Sequence, residues 1–158
     1  MNAKRNAWLQ RAGRCIAVGA AAMAVAFPCS AADWALVATD EGRGGVSIYG
    51  DNAGIRQEGA LMKVWTLWDF LTPQYDGVRT KRYSSARVLY AVNCKNNTQA
   101  IVQITMHKGA KGAGEVVSTH AYKPDELEYE ETSPDSVAQE IQIFACAHEA
   151  IRQPKKTK

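Results

Sequence analysis

Histidine is scarce in this 158-residue chain, with three in all, and cysteine nearly so, with four. Neither Cys94 nor Cys146 has a second Cys or a His at the spacing of a zinc site. His148 follows Cys146 by two residues, which on a helix turns it to another side. No serine stands in a nucleophile elbow, and no glycine-rich loop leaves a strand to open a helix as a phosphate cradle must. Gly109, Gly112 and Gly114 fall instead in a loop between two strand-like runs. These absences exclude the recognisable hydrolase, nucleotide and metal signatures, and they predict a protein without cofactor or catalytic activity. Long apolar runs are missing as well. The longest, Cys15 to Phe27, falls short of the roughly 20 residues a spanning helix needs.

That run follows Lys4, Arg5, Arg11 and Arg14 with no acid among them, and it ends in Pro28-Cys29-Ser30-Ala31-Ala32. A basic start, an apolar centre and a small-residue exit make a secretory signal peptide over residues 1–32, cleaved after Ala32, with Ala31 as second choice. Cys29 follows Phe27-Pro28 and Cys15 heads the apolar run, so neither sits as a lipidation cysteine. The whole-chain charge of +3 then misleads, because the mature chain carries 15 basic against 16 acidic residues. Four of those bases crowd the end, Arg152, Lys155, Lys156 and Lys158, in a tail over 151–158 that reads as solvated. The folded body, 33–150, is acidic and offers no basic face to nucleic acid. Only Cys94 and Cys146 remain after export into an oxidising compartment, and an even pair there is read as one disulfide.

The mature chain reads as strands. Trp34 to Thr39 and Val46 to Tyr49 are short ones, separated by a loop over Asp40 to Gly45. Gly50 to Gly54 forms a turn cluster, and a hairpin turns at Glu58-Gly59. Leu61 to Phe70 is apolar on both parities, which marks a central strand covered on both sides. A loop is expected over Leu71 to Thr80, around Pro73 and Gly77. Tyr83 to Cys94, Gln99 to His107 and Glu115 to Tyr122 then follow as a meander, with turns at Lys95 to Thr98 and Lys108 to Gly114. Centring the second turn on Lys111 places His107 opposite Glu115 and His120 opposite Val102, too far apart to share a metal. Ser136 with Gln139 is a capping box, and Val137, Ile141, Phe144 and Ala145 give a helical stripe running to Ala150. The expected fold is α+β: an antiparallel sheet of about six strands, meander-like, with a C-terminal helix packed on it and bolted down by Cys94–Cys146.

Most aromatics have the parity of core residues. Trp65 and Trp68, three apart on one strand, face opposite sides, so one packs under the helix and the other lies on the second face. The charges are polarised, with Arg79, Lys81 and Arg82 clustered near Arg87, and Asp125, Glu126, Glu128, Glu130 and Glu131 in an acidic block. The four bases, where a long loop enters a strand, are the candidate contact for an acidic partner.

Several stretches together resemble the bacterial surface-adhesin protein E family. They are Asp51 to Arg56 before a glycine turn, Val64 to Phe70, Tyr83-Ser84-Ser85 leading to Val92-Asn93-Cys94, Gly112 to Val117, and Ser133 to Ser136 before a helix ending in Cys146. They cover about Trp34 to Cys146, with Asn93 where an Asp is more usual. The resemblance implies a sheet with a disulfide-tied C-terminal helix, and a surface protein that binds host extracellular-matrix and plasma proteins and self-associates. The alternative is a periplasmic envelope accessory or assembly protein with a non-host partner.

Overall fold

A computed structural model of the chain describes residues 32–42, 44–77 and 80–152, with side chains through 148. The expected signal peptide, Arg79 and the tail beyond Arg152 lie outside the described residues. The chain runs β1 Trp34–Asp40, β2 Val46–Asp51, β3 Arg56–Glu58, β4 Leu61–Tyr75, β5 Arg82–Asn93, β6 Thr98–His107, β7 Val116–Ala121, β8 Glu130–Glu131 and α1 Val137–Arg152. One open sheet holds every strand, in the order β1-β2-β4-β5-β6-β7, with β3 paired to β4 and β8 to β6. All these pairings are antiparallel. The six strands of the main path are those expected, and the meander from β4 to β7 holds.

Burial follows from alternation. Val64 pairs with Tyr90 and Met62 with Val92, and these, with Ile48 and Val88, form a core closed by Ile141 and Ala145 of α1. Ile141 is fully buried, which contributes about 2 kcal/mol by area alone. Trp68 belongs to this cluster, and its indole N–H donates to Thr66 Oγ1, which itself donates to the Val88 carbonyl. Trp65 faces the other way, opposite Leu89, and stays half-buried. The two-sided reading of β4 therefore stands, since Leu67 and Leu89 are buried outside the helix-side cluster.

Three expectations need correction. The loop over Leu71 to Thr80 is shorter than expected, because β4 continues to Tyr75 and pairs Gln74 with Tyr83 and Tyr75 with Arg82. The ladder breaks between Asp69 and Gln74, so Pro73 sits where no ladder N–H is demanded. Gly50 belongs to β2 rather than to a turn. It is the floor under Phe144, whose ring would overlap any Cβ placed there. Finally, His107 pairs with Val116 and His120 with Ile104, because a bulge at Val117 and the path of the preceding loop shift the register.

The helix start and its anchor are built locally. Ser136 Oγ accepts the N–H of Gln139 at 3.2 Å, while the Gln139 side chain caps the N–H of Asp135 at 2.9 Å, one residue earlier than in the usual capping box. Cys146 is joined to Cys94 across 52 residues. One turn before it, the amide of Gln142 donates to Asn97 Oδ1 at 2.8 Å and accepts from the Thr132 hydroxyl. Two residues four apart on α1 thus grip the β5–β6 turn. Asn93 Oδ1 accepts the N–H groups of Lys95 and Asn96, the same acceptor role an Asp would fill.

Candidate binding cleft

The register explains which charges meet. Because Ser85 pairs with His107, the loop after His107 must return beside the residues that precede Ser85. An open cleft of about 590 Å3 results, lined by Lys81, Arg82 and Ser84 from the start of β5, Lys108 and Glu115 from the β6–β7 loop, Pro73, and Val116-Val117. Lys108 and Glu115 form an exposed ion pair at 3.8 Å. Lys81 Nζ donates to the Val117 carbonyl at 3.3 Å, at the bulge residue. The Arg82 guanidinium stands 5.8 Å over the Tyr75 ring, which fixes its stem while leaving the charge exposed. Three cations against one carboxylate leave this cleft electropositive.

Of the candidate contacts, Lys81 and Arg82 come together here. Arg87 does not line the cleft. It pairs with Leu67 and Thr105, and it lies against the 3-10 turn Ala110–Gly112, where a Cβ on Gly112 would meet Arg87 Nε at 2.8 Å. Lys108 and Glu115 were missed as cleft residues, although the strand register carried the signal for them.

The cleft wall is held by a lock. Ser85, fully buried, donates through Oγ to the Gly109 carbonyl at 2.5 Å and accepts the Gly112 N–H at 2.8 Å. Asp69 Oδ1 accepts the N–H of Lys111 at 2.7 Å. Asp69, Ser85 and His107 occupy one row across β4, β5 and β6, yet they make no catalytic relay. The serine is committed to the loop backbone, and neither ring nitrogen of His107 has a hydrogen-bond partner. His107 is only 8 % exposed. Burial, and then the Arg87 charge, push its pKa down, with the Gly114 backbone opposing. Among the described residues no group of three His, Cys, Asp or Glu side chains is placed to hold a metal, and no helix is long and apolar enough to cross a membrane.

An open antiparallel sheet, stapled to one helix and carrying a charged cleft on a loop-bounded end, defines a disulfide-tied α+β domain. The sequence profile of the surface-adhesin protein E family matches residues 34–147, so the chain belongs to that family. Among solved structures it is similar to a second crystal form of Haemophilus influenzae protein E, with 17% identity and a TM-score of 0.51, over 65% of this chain and 82% of that one. Another structure of the same protein gives 16% identity and a TM-score of 0.50, over 68% and 82%. No curated protein matches significantly. The fold is therefore shared with protein E, and the lock falls on three of the stretches that carried the resemblance.

Proposed function

We propose that this chain is an exported, adhesin-like binding module that captures an acidic region of a protein partner, a host extracellular-matrix or plasma protein, without catalysing a reaction. The observation that carries the reading is the cleft in which Lys81, Arg82 and Lys108 outnumber Glu115. Family membership supports a surface protein that binds other proteins. The commitment of Ser85 to a backbone lock supports binding over chemistry.

The test is capture of immobilised matrix and plasma proteins by purified chain. Replacing Lys81 and Arg82 together with Ala should reduce capture several-fold, and parent binding should weaken as salt rises past about 0.15 M, where the screening length is roughly 8 Å. An unchanged double variant with salt-independent binding sinks the cleft as the contact. Fractionation of cells then separates the host reading, which needs chain on the surface or in the medium, from an envelope accessory retained in the periplasm.

A further inference from the structure

We propose that the groove beneath the acidic strap between β7 and α1 is a second binding site, which takes a small linear diamine or polyamine by its protonated nitrogens. It lies past the opposite end of β7 from the electropositive cleft and is independent of it.

The strap leaves the sheet at Tyr122, whose N–H still bonds the Val102 carbonyl, passes through the 3-10 turn Pro124–Glu126, and returns to pair β8 with β6. Held at both ends, it leaves a groove of about 400 Å3 open beneath it, a size that suits a small molecule. Tyr90, Gln99 and Ile101 line this groove from the sheet, and Tyr122, Glu126, Glu128 and Glu130 line it from the strap.

Two polar groups here lack the partners that burial demands. Tyr90 is only 6 % exposed, and its hydroxyl makes no side-chain hydrogen bond among the described residues. Gln99 Oε1 is buried and has no partner either. Folded chains rarely leave such groups unpaired without a reason. Burial pushes the Tyr90 pKa up, so its hydroxyl stays neutral, and both oxygens offer lone pairs to a donor. The carboxylates around them call for that donor to be positive. Glu130 pairs directly with Gln99, which sets the two side chains on one face.

Glu126 is already engaged, since Oε2 accepts the Lys123 N–H at 3.0 Å and Oε1 stands 3.5 Å from Lys123 Nζ. The carboxylates of Glu128 and Glu130 have no partner among the described residues, and no base lines the groove. A metal ion fits poorly, because no three His, Cys, Asp or Glu side chains among the described residues are placed to hold one. The exposed surface of Ile101 and Tyr122 suits methylene carbons, and a tyrosine ring attracts a cation to its face. Two free carboxylates whose Cα atoms lie at most about 7 Å apart call for two positive nitrogens on one short chain. A single ammonium would leave one carboxylate unanswered.

Calorimetric titration of the purified chain at low ionic strength, with putrescine and spermidine as ligands and butylamine and calcium as controls, reads the site directly. One saturable site per chain is expected for both polyamines, with butylamine bound at least about tenfold more weakly. Glu128→Gln with Glu130→Gln should weaken putrescine binding at least about tenfold, and Tyr90→Phe, which removes only the hydroxyl, several-fold. Gln99→Leu should weaken it likewise while raising the melting temperature of the empty chain, because an unpaired buried oxygen is removed; a merely structural residue would not move the two in opposite directions. Lys81→Ala with Arg82→Ala should leave putrescine binding intact while lowering capture of matrix proteins, which separates failure of this site from failure of the cleft. No saturable putrescine site, butylamine bound as tightly, or full affinity in the Glu128 and Glu130 double variant overturns the proposal. Calcium bound more tightly at the same carboxylates would make this a metal site, and a lysine-rich peptide that binds where free polyamines do not would make it a protein contact; either result also overturns it.

Discussion

At the scale of single residues, the most informative side chains are polar groups that burial has forced into one role. Ser85 is committed to the loop it clamps, because its oxygen donates one hydrogen bond to that loop and accepts another from it. His107 is buried beside Arg87 with both nitrogens unpaired, so the neutral ring is favoured in the folded chain. Its folded pKa lies below the unfolded value of about 6.5, and the unfolded chain therefore binds the extra proton first. The stability this neutral ring confers is present above about pH 6.5 and is lost as pH falls through the folded value. Thermal melts between about pH 7 and pH 5 should show the parent losing stability more steeply than His107→Gln. Equal slopes for the two chains would mean that the ring is protonated at no cost.

At the scale of elements, α1 is placed by three contacts: the core stripe of Ile141 and Ala145, the grip of Gln142 and Cys146 on the β5–β6 turn, and Phe144 on Gly50. The stripe and the cysteine were legible from helical spacing. Gln142 was not singled out, although it stands four residues before Cys146 and so shares its side of the helix. Gly50 was read as a turn glycine because nothing local distinguishes a glycine needed for φ from one needed for space. Gly50→Ala should push the Phe144 ring away and destabilise the domain by about 1–3 kcal/mol, the usual range for overpacking. Urea unfolding monitored by tryptophan fluorescence measures this, and an unchanged midpoint would show that the ring relaxes freely.

At the scale of the whole molecule, the disulfide turns a sheet and a terminal helix into one unit. The chain-entropy model for a loop of about fifty residues gives roughly 4 kcal/mol, much of a domain's net stability. Cys146→Ser should lower the melting temperature by roughly 10 °C, and a melt matching the parent would mean that core contacts alone dock the helix. The sequence alone determined what depends on periodicity and counting. Alternation specified the strands, 3.6-residue spacing the helix, and an even cysteine count with the expected export the bridge, since each is a property of neighbouring residues or of composition. Tertiary structure alone decided what depends on register. Lys108 joined Lys81 and Arg82 in one cleft while Arg87 was left outside it. A bulge at one residue and a broken ladder at Pro73 shift every later cross-strand neighbour, and no local pattern carries the distance between side chains brought together that way.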